Sequence, residues 1–170
     1  MVSQATRMFD ERGFEATRVD DIADAADVAV GTLYNHFPTK SELLLAVLTQ
    51  DVDEIVLRSQ GIGLDDISDP NAAARAFVSL FLEVLERRAR QLWRALYAQA
   101  LLEPERLGAR FLASCERFRG LLVALLGSEE RGNLAYAAGF ALLFVYVLDD
   151  RTSAEQTERA FAERVQIHRI

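Results

Sequence analysis

Residues that commonly carry catalysis or bind metals are scarce in this sequence and do not form a recognisable set. The 170 residues include two histidines and one cysteine. His36 and His168 have no accompanying acid, base or nucleophile of the kind that acid–base or covalent catalysis needs. The acidic pairs Asp65–Asp66 and Asp149–Asp150 fall where solvated linkers and helix ends are expected. The sequence therefore predicts no catalytic residue, no metal site and no cofactor.

The residues best suited to recognition chemistry lie instead at 30–37. Leu33 and Phe37 are one helical turn apart, which places Gly31 and Asn35 on the opposite face. Three polar or aromatic side chains flank that face: Thr32, Tyr34 and His36. The Asn35 amide places a paired hydrogen-bond donor and acceptor on this face. A helix this short does not persist alone in water, so we predict that its apolar face is anchored and its polar face awaits a partner.

A second short helical pattern precedes this segment and would position it. Four apolar residues recur at helical spacing: Val19, Ile22, Ala23 and Ala26. Thr17 and Asp20 predict a capping box at the start of this helix, near Arg18, because a hydroxyl can accept an unpaired amide there. Thr39 and Glu42 predict another at the start of a long following helix, and Ser153 and Gln156 predict a third at the start of the last helix. Residues 17–40 are thus predicted to form a helix-turn-helix.

With these features in view, the first quarter of the chain resembles the DNA-binding domain of the TetR family of transcriptional regulators. That domain carries a run similar to F-x-x-x-G-(F/Y)-x-x-T-x-x-x-I-A, continued by G-V-x-x-G-x-(L/I)-Y-x-(H/Y)-F-x-x-K-x-x-L. The residues in register here are Phe9, Gly13, Phe14, Thr17, Ile22, Ala23, Ala26, Val28, Gly31, Leu33, Tyr34, His36, Phe37, Lys40 and Leu43.

The resemblance implies an all-α fold in which a three-helix DNA-binding unit is joined by a long helix to a helical ligand-binding and dimerisation bundle. It implies a DNA-binding domain at 1–45 and a ligand-binding and dimerisation domain at 46–170. It also implies that a double-stranded DNA operator faces these residues: Thr17, Val30, Gly31, Thr32, Tyr34, Asn35, His36 and Lys40. Among them, Thr17, Tyr34 and Lys40 are expected at the phosphates.

Two departures from the family pattern concern the turn and the recognition helix. Asp27 stands where glycine is usual, and Ala29 stands where serine often begins the helix. Aspartate tolerates a left-handed backbone better than most residues, so the turn is expected to form. Loss of a hydroxyl and gain of a negative charge near the DNA backbone are expected to weaken affinity.

The charge of the head is also unusual for a nucleic-acid partner. Residues 1–45 hold four basic and eight acidic residues, and the whole chain carries a formal charge of −7. Phosphate neutralisation supplies most non-specific affinity for DNA, so binding is expected to rest on few contacts with steep salt dependence. The chain begins almost inside its first helix, without a basic lead-in, which suggests an incomplete N-terminus. A generic helical hairpin that never touches DNA would show the same apolar spacing.

The rest of the chain reads as helices packed in a folded core. Hydrophobic residues make up 51% of the sequence, and the single Cys115 excludes a disulfide framework and favours a cytoplasmic location. The longest apolar run, 134–148, is shorter than the ~18 residues needed to span a bilayer, so no membrane partner is expected. Helical patterns or caps are predicted at 4–11 before Gly13, 39–58, 70–88, 92–101, 107–125, 130–148 and 153–168. Residues 59–69 read as the linker.

Six aromatic residues on the central helices form the candidate effector site: Phe77, Phe81, Trp93, Tyr97, Phe111 and Phe118. Aromatics at helical spacing serve as core or line a cavity, and the resemblance implies a role in both. Their composition favours a small hydrophobic effector, with Arg94 or Gln99 as polar contacts if they turn inward.

The helix at 130–148 is apolar nearly all round, and a single layer cannot cover both of its faces. We therefore predict a homodimer through 130–148 and 153–168.

Three functions remain open at this point. The first is a ligand-responsive DNA-binding regulator, acting as a repressor that a small effector releases from a palindromic operator. The second is a helical small-molecule-binding protein whose DNA-binding head is weakened or lost, which Asp27, Ala29 and the acidic head favour. The third is a small helical enzyme, which the poor catalytic inventory disfavours.

Overall fold

The computed structural model describes residues 1–61 and 69–164, and over these residues the chain is helical without strands. The helices are α1 Val2–Ala16, α2 Val19–Ala25, α3 Val30–His36, α4 Lys40–Gly61, α5 Pro70–Glu86, α6 Arg90–Leu102, α7 Ala109–Leu126, α8 Glu129–Leu148 and α9 Ala154–Arg164. A π-helical turn, Pro104–Gly108, lies between α6 and α7. The all-α prediction is confirmed.

The chain divides into two compact units that differ from a simple split along the sequence. The head unit comprises Met1–Val52 and Arg88–Leu112, and the body unit comprises Asp53–Arg87 and the chain from Ala113 onward. The boundaries fall inside α4, between α5 and α6, and inside α7. The segment that carries α6 therefore belongs to the same compact unit as the predicted helix-turn-helix.

The head unit is built around apolar side chains contributed by every helix in it. α1 packs against α2 and α6, and α2 packs against α3. Fully buried members include Ala5, Phe9, Ile22, Ala23, Leu33, Leu43, Leu44, Leu48, Leu92 and Leu107. Residues at helical spacing in the sequence are thus the ones that form the core, as the pattern predicts.

The body unit is held by close helix crossings. α5 packs against α8 and α9, and α8 packs against α9. A β-carbon on Gly132 would meet the Val123 backbone at 2.5 Å, so only glycine allows α7 and α8 to approach this closely. A β-carbon on Gly139 would lie 3.4 Å from the Phe161 ring, which is fully buried.

Two of the three predicted capping boxes form in whole or in part. At α9 both reciprocal bonds are present: the Ser153 amide donates to Gln156 Oε1 at 2.9 Å and the Gln156 amide donates to Ser153 Oγ at 3.1 Å. At α4 the Glu42 amide donates to Thr39 Oγ1 at 3.2 Å, while the Glu42 carboxylate binds arginines instead. The cap of α4 is therefore one-sided.

The capping box predicted at Thr17 and Asp20 is wrong. α2 has Arg18 at its N-cap position and no side-chain cap bond. The Thr17 hydroxyl instead donates back to the carbonyl oxygens of Gly13 at 2.7 Å and Met8 at 3.1 Å. The backbone break at Gly13 in α1 leaves carbonyl oxygens that compete with the α2 amides for the hydroxyl.

The first helix is longer than its apolar pattern predicts. It begins at Val2, and helical residues resume after Gly13 and continue to Ala16. Gly13 has φ 78° and ψ 170°, so the predicted left-handed glycine interrupts the helix rather than ending it. Asp27 adopts the expected left-handed backbone with φ 53°, and Gly127, directly after α7, has φ 61°.

Several predicted features fall outside the described residues. Most of the linker at 59–69 lies there, as do Asp65, Asp66 and His168. α4 extends to Gly61, three residues beyond the predicted end, and α9 is described to Arg164.

α8 is long and apolar enough, by length and composition alone, to cross a bilayer. A third of its most apolar window is buried in the chain. The core helix of a soluble protein passes the same test of length and composition, so this one helix is weak support for a membrane span.

Candidate nucleic-acid interface

The predicted recognition helix α3 is anchored by one side chain and exposed on the rest of its surface. Leu33 is fully buried, and Phe37, which caps the helix, is half-buried. The remaining predicted DNA-facing residues of the helix are Val30, half-buried, and the exposed Gly31, Thr32, Tyr34, Asn35 and His36. A β-carbon on Gly31 would meet nothing within 4 Å, so this part of the helix surface is open. The arrangement leaves a continuous polar face free for a partner.

The turn before α3 is closed by backbone hydrogen bonds around Asp27. The Asp27 amide donates to the Asp24 carbonyl at 3.1 Å, and the Val28 amide donates to the Ala23 carbonyl at 3.1 Å. The positive φ of Asp27 is the conformation that glycine adopts most easily. Ala29 occupies the N-cap position of α3 without any side-chain cap bond. The turn forms with both unusual residues in place.

Two predicted phosphate-contacting residues are engaged inside the head. Thr17 is buried, with 1% of its surface exposed, and its hydroxyl bridges the break at Gly13. Lys40 Nζ donates to the carbonyls of Phe14 at 2.8 Å, Glu15 at 3.2 Å and Thr17 at 3.2 Å. The same ammonium lies 4.4 Å from the centroid of the Phe14 ring.

The other basic side chains of residues 1–45 are Arg7, Arg12 and Arg18, and all three are exposed and paired with acids. Arg12 lies 3.2 Å from Asp21, and Arg18 lies 3.1 Å from Asp20. The hydrogen bond that Arg18 donates to the Asp20 carboxylate raises the pKa of Arg18 above its ordinary value. A phosphate that approaches either arginine must therefore compete with a carboxylate.

Polar bonds from the α6–α7 segment attach it to α1 and α4. Arg88 donates to both Asp51 oxygens at 2.9 and 3.0 Å and also pairs with Asp10. Its pKa is raised, first by the hydrogen bond to Asp51. These three residues were not among the sequence candidates. The three residues lie far apart in sequence, so local sequence patterns do not predict that they bond to one another.

A second set of polar bonds joins the start of α4 to the segment around the π-helical turn. The buried Glu42 carboxylate lies 3.0 Å from Arg106 and 3.5 Å from Arg110. Ser41 Oγ donates to Gln99 Oε1 at 2.9 Å, so the Gln99 side chain, considered as an effector contact, bonds to α4. The first turn of α4 is thus bonded to residues of α6, the π-helical turn and α7.

The six candidate effector residues form two clusters, one in each unit. In the head unit, Tyr97 and Phe111 meet edge to face with ring centroids 5.2 Å apart. Trp93 lies one turn before Tyr97 and is buried, and its Nε1–H has no hydrogen-bond partner. In the body unit, Phe118 contacts Phe81 at 4.8 Å and Phe77 at 6.1 Å between centroids.

The described residues contain no group of three or more histidine, cysteine, aspartate or glutamate side chains that could hold a metal ion. Cys115 is buried and free of disulfides, and burial raises the pKa of its thiol.

Comparison with known proteins finds a family match at the start of the chain. Residues 2–47 match the family model described as bacterial regulatory proteins, tetR family. FasR, named as a transcriptional activator of Mycolicibacterium smegmatis, is 39% identical over 48% of this chain and 37% of its own length. KstR2 of the same organism, named as a transcriptional repressor, is 35% identical over 54% of this chain and 44% of its own length.

The matches to these curated relatives thus span less than half of their length, and both relatives are named as transcription regulators rather than enzymes. At the level of structure, the TetR transcriptional regulator from Nitrosomonas europaea covers 98% of this chain and 94% of its own, with a TM-score of 0.74 and 16% identity. That likeness establishes the fold over nearly the whole chain.

Proposed function

We propose, from the match of residues 2–47 to the tetR family model, that the chain is a cytoplasmic, homodimeric, DNA-binding transcriptional regulator of that family. It acts as a repressor, and a small hydrophobic effector releases it from a palindromic operator. The single observation that carries this proposal is the exposed polar face of α3, held by the buried Leu33.

DNA reading rests on the exposed side chains of α3. A recognition helix enters the major groove and presents side chains to base edges. Asn35 is exposed near the centre of the face and is the best candidate to read adenine through two hydrogen bonds. Thr32 and His36 are the neighbouring polar candidates, and Tyr34, 43% exposed, is a candidate for the phosphates. The proposal assigns sequence discrimination to this face alone.

The acidic head implies a particular salt response. Exposed arginines are already paired with aspartates, so phosphate contacts require exchange of one anion for another. Binding to DNA releases counterions and weakens as salt rises. We therefore expect weak non-specific binding and a specific complex that is stable only at moderate salt.

Dimerisation is proposed to use α8 and α9. Exposed apolar residues Leu134, Ala141, Val145 and Leu148 lie at spacings of seven, four and three residues, which places them in one stripe along α8. A second copy of the chain is the partner that a self-complementary stripe favours, and an obligate interface buries more than ~2,000 Å² in total. Two-fold symmetry then sets the recognition helices about 34–36 Å apart, one DNA turn, and makes the operator a palindrome.

Effector binding is proposed to begin at the head-unit cluster of Trp93, Tyr97 and Phe111. The buried Trp93 Nε1–H lacks an acceptor, and a buried donor without an acceptor is unfavourable, so an effector with a carbonyl or carboxylate oxygen would supply one. Such an effector would displace α6, which is bonded to α4 through Gln99. Arg88, two residues before α6, is bonded to both α1 and α4. The other three residues predicted to line the effector site are Phe77, Phe81 and Phe118, which pack together in the body unit.

A coupling of ~1–3 kcal/mol, or about 5- to 150-fold in DNA affinity, is enough for a regulatory switch. The polar bonds from Arg88 and Gln99 to α1 and α4 would transmit this coupling within one compact unit. Each of these bonds joins residues that the head unit holds together.

The alternative is a helical small-molecule-binding protein with a weakened head. Asp27 favours it, because a carboxylate in the turn before α3 repels phosphates. The two proposals differ in one respect: only a regulator binds some DNA sequence in excess over random DNA.

The test is a selection of binding sites from random DNA with the full chain, followed by affinity measurements from 50 to 300 mM salt. We expect a palindromic site that is bound at least about a thousandfold more tightly than random DNA. Equal affinity for selected and random DNA, with retained binding of small molecules, would establish the alternative.

Effector binding is tested separately by fluorescence, because Trp93 is the only tryptophan in the chain. Matched aromatic probes, a naphthyl ketone and its hydrocarbon analogue, differ only in the acceptor oxygen. The proposal expects the ketone to shift the emission at lower concentration than the hydrocarbon and to release operator DNA. Equal responses to the two probes would exclude the indole as the acceptor's partner.

A further inference from the structure

Lys40 has all three of its ammonium donors occupied within the head. They are directed at the carbonyl oxygens of Phe14, Glu15 and Thr17, at 2.8, 3.2 and 3.2 Å. An ammonium group has three donors and no acceptor, so these three bonds satisfy it. The nearby ring of Phe14 adds a cation–π contact.

The position of these carbonyls explains why a cation binds there. α1 ends at Ala16, and the last carbonyls of a helix have no partner within the helix. These carbonyls also carry the negative end of the helix dipole, which a lysine stabilises. Lys40 is the first residue of α4, so one side chain bonds the end of α1 to the start of α4.

That bond closes the segment that carries DNA recognition. α2 and α3 lie in the chain between Thr17 and Lys40, so the ends of the helix-turn-helix are held together by Lys40 Nζ and the Thr17 carbonyl. The Thr17 hydroxyl, buried at 1% exposure, bonds the same end of the segment to Gly13 and Met8. Both residues thus hold the two ends of the segment that contains α2 and α3, through bonds within the protein.

We infer that Lys40 and Thr17 are positioning residues that set the placement of the recognition helix, and that neither side chain contacts a DNA phosphate. A phosphate would have to compete with three carbonyls for Lys40 and would find the Thr17 hydroxyl buried. The inference rests on the proposed function only for its DNA-binding arm.

The test compares the full chain with Lys40→Met, Thr17→Val and Arg7→Met. Methionine keeps the length of the lysine stem without the ammonium, and valine keeps the shape of threonine without the hydroxyl. Arg7 is exposed in the same head, so Arg7→Met is a control that removes the same charge without touching the three carbonyls. DNA affinity is measured from 50 to 300 mM salt, at a temperature where circular dichroism shows each variant to be folded.

Amide hydrogen exchange is followed at residues 18–36 in the same proteins without DNA. For Lys40→Met we expect affinity to fall about tenfold at every salt concentration, with the salt slope equal to that of Arg7→Met. Exchange at 18–36 should accelerate relative to the rest of the chain. Thr17→Val should accelerate the same amides without any change of charge. A residue that merely stabilises the fold would leave the affinity of the folded protein unchanged.

A salt slope for Lys40→Met that is lower than the control's by about 0.9 would overturn the inference, because that is the loss expected for one phosphate contact. Unchanged exchange at 18–36 in both Lys40→Met and Thr17→Val would overturn it as well. If Lys40→Met does not fold, Lys40→Arg decides: the inference requires accelerated exchange with the charge retained, and wild-type exchange overturns it. If the unaltered chain binds no DNA, the proposed function fails, while the exchange arm still tests the positioning role.

Discussion

Helices α3 and α8 both present exposed side chains, but the chemistry of these side chains differs. α3 has seven residues, buries Leu33, and exposes small, polar and aromatic groups. α8 has twenty residues and exposes large apolar ones, with Leu134 56% and Val145 49% exposed. A polar face is stable in water and can bind a partner reversibly, whereas an apolar face gains free energy from being covered. The same chain thus carries one surface suited to a transient partner and one suited to a permanent partner.

The largest effect is expected on dimerisation when charges are placed on the apolar stripe of α8. Leu134→Glu combined with Val145→Glu should raise the dimer dissociation constant by at least about a hundredfold, because each buried carboxylate would lie unpaired against its copy. Analytical ultracentrifugation measures the change. Leu57→Glu is the matched control, since Leu57 is an exposed apolar residue on α4 in the same unit and should leave assembly unchanged. A dimer that survives the double substitution would move the interface away from α8.

The polar face of α3 is tested by Asn35→Ala. Loss of a bidentate contact to adenine should reduce discrimination at one base position by ~1–3 kcal/mol, with dimerisation unaffected. A binding-site selection with the variant shows whether one position of the site loses its preference. Gln50→Ala removes an exposed amide from α4 and should leave the selected site as it is. Identical sites for Asn35→Ala and the unaltered chain would remove Asn35 from base reading.

The contribution of the turn before α3 is tested by Asp27→Gly. Glycine adopts the observed φ of 53° without the strain of a β-carbon, so stability should rise by about 1 kcal/mol in chemical denaturation. Affinity for the selected site should rise about two- to fivefold as a negative charge near the phosphates is removed. Asp27→Asn separates the two effects, because it removes the charge and keeps the strain. Equal affinities for all three proteins would show that Asp27 does not face the DNA.

The smallest effect is expected at a charge network that belongs to neither the polar face of α3 nor the apolar stripe of α8. Glu83 accepts hydrogen bonds from Arg58 at 2.9 and 3.1 Å and from Arg87 at 3.2 Å, and Arg58 is the largest cause of its lowered pKa. A carboxyl group with a lowered folded-state pKa stabilises the fold above its ordinary pKa of 4.5, and that contribution is lost as pH falls through the lower folded-state value.

Glu83→Gln should therefore lower the melting temperature slightly at pH 7, with the difference from the unaltered chain vanishing as the pH falls below the lowered folded-state pKa of Glu83. Differential scanning calorimetry across this range measures it. DNA binding and dimerisation should both stay unchanged, since exposed ion pairs contribute little. A large loss of either activity would mean that surface charge, and not the two helix faces, controls the protein.

The helices and the exposed face of α3 could be predicted because the information for them is local. Leu33 and Phe37 specify which side of α3 is buried, and Ser153 with Gln156 specifies where α9 begins. The same local reasoning failed at Thr17, where a capping residue was predicted from its spacing to Asp20. The Thr17 hydroxyl instead donates to the carbonyl of Gly13, where the helical backbone of α1 is interrupted.

The aromatic set illustrates the other limit. Six residues at helical spacing were predicted to line an effector site. Within the head unit Tyr97 pairs with Phe111, and within the body unit Phe118 packs with Phe77 and Phe81. Periodicity identifies which side of a helix is apolar, and it contains no information about which other helix that side meets.

Apolar spacing, turn residues and helix caps in the printed sequence were sufficient for an all-helical chain with a helix-turn-helix near its start, because these properties depend on residues within a few positions of one another. The bonds of Lys40, Glu42 and Arg88 required the folded chain. Lys40 meets a carbonyl 26 positions away, and Arg88 bonds to a carboxylate 37 positions away. A charged side chain binds whichever opposite charge or open carbonyl the packed helices bring within about 3 Å, and helix packing is a property of the whole apolar core.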